Sequence, residues 1–149
     1  AVFAASWLFF ERTIWGKRFE AVASGGAVTT VAPGCVGGGT CTVTGAFALG
    51  SPVTIDLAGA TGTTAALHIG SAATGVGFCG PCPILSPFLA IPVTPSSGSA
   101  SLPLFIDCSA YTLLGQAFYF QYVVGFTPTA PCLGLPAGFS NVESATFGL

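Results

Sequence analysis

Apolar and polar residues alternate along several short segments of this chain, and turn-forming residues separate the segments. Val53, Ile55 and Leu57 alternate with Thr54 and Asp56, which is the period of two expected of a half-buried strand. Similar patterns predict strands at residues 40–49, 52–57, 65–69, 88–93, 100–106, 117–126 and 142–147. Because these segments recur at intervals of roughly ten residues with no convincing helix between them, they predict an all-β fold. We expect a single antiparallel β-sandwich of about seven or eight strands, jelly-roll or immunoglobulin-like.

Residues 1–34 differ in composition from the residues that follow. They contain both Trp residues and all of the Lys and Arg residues. Four apolar residues recur there at helical spacing: Phe3, Trp7, Phe10 and Ile14. This spacing permits a short amphipathic helix, but the aromatic and β-branched content favours strands. We therefore expect residues 1–34 to form an N-terminal arm and residues 35–149 to form the β-sandwich domain.

Charged side chains are rare, at 5% of the chain, whereas soluble domains average about 25%. Hydrophobic residues make up 52%, and the mean hydropathy is +0.81. All Lys and Arg residues lie between Arg12 and Arg18, so the rest of the chain has no cations for contacts with nucleic acid phosphates. A surface with so little charge associates readily, because charge repulsion does not keep copies apart. We therefore expect the protein to be surrounded by copies of itself or by other partners.

The cysteine content and the first residue both favour export. The six Cys residues are an even number, as expected in an oxidising compartment where disulfides persist. The chain begins with Ala1 and contains no Met, which removal of a signal peptide explains more simply than removal of an initiator Met. The longest apolar stretches have ten residues, whereas a membrane-spanning helix needs about 20. We predict an extracellular or cell-surface location after removal of a signal peptide.

Six Cys residues allow fifteen sets of disulfides, and the sequence does not choose between them. Sequence spacing favours three bridges: Cys35–Cys41 across a glycine-rich loop, Cys79–Cys82, and Cys108–Cys132. A bridge from the Cys79–Cys82 segment to either of the last two residues remains open, because it closes a larger loop and restricts the unfolded chain more. We expect all six residues to be oxidised.

Four short motifs in the second half of the chain resemble a domain of known secreted proteins. They are SASLPLFI at residues 99–106, LGQAFYFQ at 114–121, FSN at 139–141 and TFG at 146–148. Together they resemble the β-rich domain found at the C-terminus of many secreted proteins of planctomycetes and similar bacteria. The resemblance covers about residues 35–149. It implies a secreted β-sandwich with a turn at Ser140 and Asn141, and it brings no catalytic residues.

No group of residues predicts catalysis or a metal site. The segment Cys79–Cys82 matches the thioredoxin tetrapeptide, but Pro83 follows at once and opposes the helix that activates the first Cys. His68 is the only His, and the sequence places no acid and nucleophile beside it. Three carboxylates are far apart along the chain, those of Asp56, Asp107 and Glu143. We therefore predict a protein that is not an enzyme and that binds no metal or cofactor.

These observations point to a structural subunit of an extracellular filament, pilus-like or sheath-like. We expect the N-terminal arm to insert into a neighbouring identical subunit or to add a strand to it, as donor strands do in pilins. Such a head-to-tail contact does not close on itself, so it propagates into an open-ended homopolymer. The apolar contacts of the arm would come from Phe3, Trp7, Phe9, Phe10 and Trp15.

Two further hypotheses concern the charged and the aromatic residues of the arm. Its basic residues either keep one part of the surface soluble or pair with acidic residues across subunits. The basic residues are Arg12, Lys17 and Arg18, and the acidic ones are Asp56, Asp107 and Glu143. The alternative function is a secreted adhesion or carbohydrate-binding β-sandwich module. Its stacking platforms would be Trp7, Trp15 and Tyr111.

Overall fold

The computed structural model describes residues 28–71 and 75–148, which form eleven strands and one 3-10 helix. The strands are β1 Val28–Ala32, β2 Thr40–Thr44, β3 Pro52–Ala58, β4 Thr64–Ser71, β5 Val76–Cys79, β6 Cys82–Leu85, β7 Leu89–Val93, β8 Ala100–Phe105, β9 Ala117–Gly125, β10 Ala137–Phe139 and β11 Val142–Thr146. The 3-10 helix, Cys108–Leu113, lies between β8 and β9. It follows Asp107, whose Oδ1 accepts a hydrogen bond from the backbone N–H of Ser109 (2.9 Å).

Two antiparallel sheets face each other across the hydrophobic core. The large sheet has the strand order β1-β11-β9-β4-β7, and β10 pairs with β9 on the same side as β11. The small sheet has the order β2-β3-β8, and β5 and β6 form a separate hairpin. The predicted all-β sandwich is therefore confirmed.

Alternate side chains of the central strands fill the space between the sheets. Val53, Ile55 and Leu57 of β3 are buried, as their period of two predicts. From the large sheet, Phe120 and Tyr122 of β9 join the same core cluster. The Tyr122 hydroxyl donates a hydrogen bond to the backbone oxygen of Ile55 (2.6 Å), so one bond crosses the core. Burial raises the pKa of Tyr122, which keeps the phenol protonated and able to donate.

All seven strands predicted from the sequence are present, with bounds that differ by a few residues. The largest difference is in β2, which ends at Thr44 instead of residue 49. Gly45 adopts a left-handed φ of 103° and turns the chain so that Phe47 enters the core. The prediction of seven or eight strands was too low, because it missed β5, β6 and β10, which have only three or four residues, and β1, which lies in the predicted arm.

The boundary between arm and sandwich lies earlier than residue 34. β1 pairs with β11 of the same chain, with Val28 opposite Ala145. Residues 28–34 therefore belong to the sandwich, because β1 completes one edge of the large sheet. The rest of the predicted arm lies outside the described residues, and with it the predicted interface residues Phe3, Trp7, Phe9, Phe10 and Trp15.

A β-bulge at Ser140 and Asn141 connects the two sheets. Between β10 and β11 the pairing with β9 shifts by one residue, which is the mark of a bulge. The Asn141 side chain reaches β2, where its Oδ1 accepts from the Cys41 N–H (2.7 Å) and its Nδ2 donates to the Cys41 oxygen (3.0 Å). The segment predicted as a turn is therefore a bulge, and its amide takes the place of a strand partner.

The glycine-rich loop between β1 and β2 packs directly on β10. The Cys35 N–H donates a hydrogen bond to the Phe139 oxygen (2.8 Å). A Cβ atom at Gly38 would lie 2.2 Å from the carbonyl carbon of Phe139, which leaves no room for any side chain. Close contact between two backbones, rather than flexibility, explains the glycine at this position.

We expect Gly38→Ala to destabilise the sandwich by about 1–3 kcal/mol or more, because the added methyl group collides with backbone atoms of β10. Gly77→Ala is the matched control, since no atom lies within 4 Å of a Cβ placed at Gly77. Thermal and urea unfolding of both variants measure the difference. Equal stability of the two variants would contradict this close packing.

Candidate binding groove

Two disulfides fasten the β5–β6 hairpin to the sandwich. Cys35 is bonded to Cys82, with 5.1 Å between the Cα atoms. Cys79 is bonded to Cys132, with 5.2 Å between the Cα atoms. Cys79 and Cys82 are opposite each other in the hairpin, so both side chains lie on one face and reach the flanking segments. The favoured pairing from the sequence is therefore wrong, whereas the open alternative, a bridge from this hairpin to Cys132, is confirmed.

The other two cysteines, Cys41 and Cys108, are free. On β3, the residue opposite Cys41 and the residue opposite the end of β8 are five positions apart. At the spacing of residues in a strand, about 17 Å therefore separates Cys41 from the end of β8, and Cys108 follows that end. No disulfide spans that distance, so the expected oxidation of all six cysteines does not hold within one chain. Burial raises the pKa of the Cys41 thiol to about 12, with a further effect from the carboxylates of Glu143 and Asp56. Cys41 is therefore a protonated core residue and not a nucleophile.

The hairpin also binds the outer face of the large sheet through Gln121, which is fully buried on β9. The Oε1 atom of Gln121 accepts from the Leu85 N–H (2.9 Å). Its Nε2 donates to the backbone oxygens of Pro83 (2.6 Å) and Ser140 (2.9 Å). One side-chain amide therefore satisfies three backbone groups, two of β6 and one of the bulge.

The acidic residues of the sandwich lie in separate places. Asp56 is on the outer face of the small sheet, where its carboxylate accepts from hydroxyl groups of β8 (2.6 Å) and β2 (3.3 Å). Glu143 is buried and accepts from Thr30 Oγ1 and Asn141 Nδ2, both at 2.6 Å. Asp107 is exposed before the 3-10 helix. The described residues contain no group of three metal-ligating side chains, and these carboxylates share no site for acid–base chemistry.

His68 lies on β4, opposite Gln121 of β9 and Ala90 of β7. Its Nδ1 atom is buried and has no hydrogen-bond partner among the described residues. Burial lowers the pKa of His68, so the neutral ring is favoured in the folded protein. Its strand partners provide neither an acid nor a nucleophile, so this part of the sheet has no catalytic arrangement.

The two long sides of the sandwich differ. On one side, the edge strands β1 and β2 are connected by the glycine-rich loop and by the Asn141 amide. On the other side, β7 and β8 are connected by a tight turn in which Ser97 and Gly98 have positive φ. Ser96 and Ser99 exchange two backbone hydrogen bonds across this turn (2.7 and 3.0 Å). Beyond it β7 and β8 belong to different sheets, and each is an unpaired edge in the part of the chain that the structure describes.

An apolar cavity of about 320 Å³ opens between these edges, at the ends of β7 and β8 that lie farthest from the turn. Leu89 of β7 and Leu104 of β8 are part of its lining. Three large apolar lining residues are strongly exposed: Phe88 (55%), Leu89 (47%) and Phe105 (68%). We call this cavity, together with the facing edges of β7 and β8, the groove.

A cluster of phenylalanines forms the aromatic part of the cavity lining. The Phe47 ring packs edge to face with three others, at centroid distances of 5.5 Å to Phe147, 5.7 Å to Phe120 and 6.3 Å to Phe118. Among the described residues, Asp107 is the one charged residue in the lining. The groove therefore combines a large apolar surface with a single negative charge.

Each edge of the groove contains a proline, Pro92 in β7 and Pro103 in β8. Proline has no N–H, so a sheet tolerates it where its nitrogen faces away from the paired strand. The two prolines therefore remove one donor from each free edge and weaken pairing with a further strand through backbone hydrogen bonds. The groove is better suited to side-chain insertion than to a complete ladder of hydrogen bonds.

Comparisons with known proteins provide no template for this groove. No family model matches the chain, and no similar protein or solved structure was found. The resemblance to the secreted bacterial domain stays a prediction. Among the described residues, no helix is long and apolar enough to cross a membrane.

Sequence reasoning missed the groove, because its residues come from separate segments that only the fold brings together. Phe47 precedes β3, Leu89 begins β7, and Asp107 follows β8. A usable signal was present in the two consecutive strands that contain Pro92 and Pro103. Because a proline within a strand indicates an edge, these two residues predict two edge strands, and the structure shows that the edges belong to different sheets.

We expect Gln121→Ala to lower the free energy of unfolding by about 2–4 kcal/mol, because it leaves three buried backbone groups without a partner. The Leu85 amide should also exchange with deuterium faster, since its acceptor is lost. Gln116→Ala is the control, because Gln116 is exposed and lies just before β9. Thermal unfolding and hydrogen exchange measure both effects. Similar behaviour of the two variants would contradict the role given to Gln121.

Stability should depend on pH through His68. In the unfolded chain His68 binds a proton near pH 6.5, whereas burial lowers the pKa of His68 in the folded protein. The contribution of His68 to the free energy of unfolding should therefore be complete above about pH 7. It should fall as the pH decreases below about 6.5, until the pH is below the pKa of His68 in the folded protein. His68→Gln should lose stability less steeply between about pH 7.5 and about pH 5. Parallel pH profiles of the two proteins in thermal unfolding would contradict this expectation.

Proposed function

We propose that this protein is a structural subunit of an extracellular filament, in which the N-terminal arm of one copy inserts into the groove of the next. The observation that carries this proposal is the open side of the sandwich, where an apolar cavity lies between two unpaired edges. Exposed apolar surface of this kind is unfavourable in water. A neighbouring chain that fills the cavity removes this surface from water.

Insertion of side chains suits the groove better than strand addition alone. Pro92 and Pro103 remove backbone donors from the two free edges, whereas the cavity accepts large apolar groups. Fully burying one large apolar side chain contributes roughly 1.5–3 kcal/mol. One such side chain in the cavity, with further apolar contacts of the arm along the groove, offsets the entropy lost when the arm becomes ordered.

The positions of the arm and the groove favour an open-ended assembly. β1, which continues the arm, is separated from β7 by four strand spacings in the large sheet, or about 19 Å. The arm of one copy and the groove of the next therefore form a head-to-tail contact, which propagates when it does not close into a ring.

The charges of the two parts are complementary. Residues 1–27 carry three basic and two acidic residues, a net charge of +1. Residues 28–148 carry three acidic residues and no basic residue, a net charge of −3. The two disulfides fit the oxidising environment of a secreted protein, which supports an extracellular location.

The proposal predicts that the full chain forms filaments. Deletion of residues 1–24 should give an aggregation-prone monomer that does not assemble into filaments. A point variant tests the groove more directly. Leu89→Lys places a charge in the groove, so it should abolish or strongly weaken assembly. Size-exclusion chromatography with light scattering and negative-stain electron microscopy measure the result.

Leu133→Lys is the matched control, because Leu133 is 84% exposed and does not line the cavity. It should assemble like the unaltered chain. A full chain that remains monomeric in physiological buffer would contradict the filament. Normal filaments from the deletion variant or from Leu89→Lys would contradict insertion into the groove.

The second candidate function is adhesion or carbohydrate binding. Tyr111, the described member of its proposed stacking platforms, is 64% exposed on the 3-10 helix. This exposure favours the idea, since a sugar ring needs an accessible aromatic face. The nearby cavity, however, has only one charged lining residue and is otherwise apolar, which suits a sugar poorly. We therefore place adhesion second.

A further inference from the structure

We propose that the cavity in the groove is an anchor site for an aromatic residue with adjacent cations, and that its occupant is residues 15–18 of a neighbouring copy. In this arrangement Trp15 fills the cavity, and Lys17 or Arg18 pairs with the carboxylate of Asp107. The inference rests on the proposed function, because it names the part of the arm that the groove holds.

The cavity has the size and the lining of a site for one large aromatic side chain. Its volume of about 320 Å³ is at the lower end of the roughly 300–1,000 Å³ of ligand pockets. Phe47 and Phe118 are already packed edge to face in the lining, and such clusters accept a further ring in the same geometry. Trp combines a large apolar surface with one N–H group, so it suits an apolar cavity with one acceptor.

Of the carboxylates in the sandwich, Asp107 is the one placed to receive a cation from the arm. Glu143 is only 8% exposed and already accepts two hydrogen bonds. Asp56 is on the outer face of the small sheet and does not line the cavity. Asp107 lines the cavity, is exposed and pairs with no cation among the described residues, which contain no Lys or Arg. A cationic side chain that pairs with Asp107 would therefore come from residues 12–18 or from another molecule.

Two parts of the arm combine an aromatic residue with a cation two positions later: Phe10 with Arg12, and Trp15 with Lys17. In an extended segment such residues lie on the same side, about 6.6 Å apart. The first pair encloses Glu11, which cancels its charge, whereas the second encloses Gly16 and is followed by Arg18. Charge complementarity with Asp107 therefore favours residues 15–18.

The connection to the sandwich is long enough for this contact. Residues 19–27 span about 30 Å when extended, which exceeds the width of about 19 Å between β1 and β7. The segment is therefore long enough for the groove of an adjacent copy that lies within this distance. It also reaches its own groove, so the test must distinguish contacts between copies from contacts within one.

A charge exchange in the full chain provides that test. Asp107→Lys alone, and Lys17→Asp combined with Arg18→Asp, should each raise the critical concentration for assembly by about tenfold or more, because like charges then meet. An equimolar mixture of the two variants should assemble near the concentration of the unaltered chain, since the reversed arm fits the reversed site. Light scattering and electron microscopy measure assembly.

Two further variants keep the result interpretable. Asp107→Asn keeps an oxygen for the Ser109 N–H but removes the charge, and should raise the critical concentration about two- to fivefold. Asp56→Lys reverses a carboxylate outside the groove and should leave assembly unchanged.

The failure of this inference is distinguishable from the failure of the proposed function. If the unaltered chain stays monomeric, the filament and the anchor between copies both fall. If it forms filaments and Asp107→Lys does so equally well, the result contradicts the anchor site but supports the filament. If both reversed variants fail and their mixture also fails, the pairing with Asp107 is overturned.

Discussion

The double hydrogen bond between the Asn141 amide and the backbone of Cys41 determines how the two sheets meet. It satisfies the free edge of β2 from the large sheet, at the side where the glycine-rich loop also packs on β10. The bulge that presents Asn141 is therefore a structural element of the sandwich and not a defect in pairing. On the opposite side, no side-chain hydrogen bond comparable to that of Asn141 connects β7 to β8 beyond their turn, in the part of the chain that the structure describes. The groove exists because the sandwich is closed on one side only.

Neutral side-chain amides connect separate elements of this sandwich, as charged pairs do in many other proteins. Gln121 fastens the β5–β6 hairpin and Asn141 fastens β2, and neither interaction needs a counterion. This solution suits a sandwich without Lys or Arg, because an unpaired buried charge is far more costly than a buried amide with all its partners. Glu143 is the exception, and two short hydrogen bonds compensate its burial. Such a chain keeps a stable interior while its surface has little charge to repel other copies.

Much of the fold follows from local sequence, but the disulfides and the groove do not. The alternation in residues 53–57 directly indicates which side of β3 is buried, so strands and core were predictable. The cysteine pairing depends on which segments flank the β5–β6 hairpin, and spacing along the chain favours the wrong neighbours for Cys35. Asn141 was predicted in a turn, because a bulge is recognised only from the register of the strands on which it lies. The groove needs even more information, since it depends on two edges from different sheets.

Pro92 and Pro103 limit uncontrolled aggregation through the free edges of β7 and β8. Unpaired edges beside exposed residues such as Phe105 form a surface on which strands of any chain tend to add. Pro92 and Pro103 interrupt the donors of those edges, so backbone pairing alone becomes a weak and unselective contact. What remains selective is the cavity, because its aromatic lining and the single charge of Asp107 restrict which side chains fit. In the proposed assembly, the low-charge surface favours association, and the shape of the groove determines which segment of a neighbouring chain is accepted.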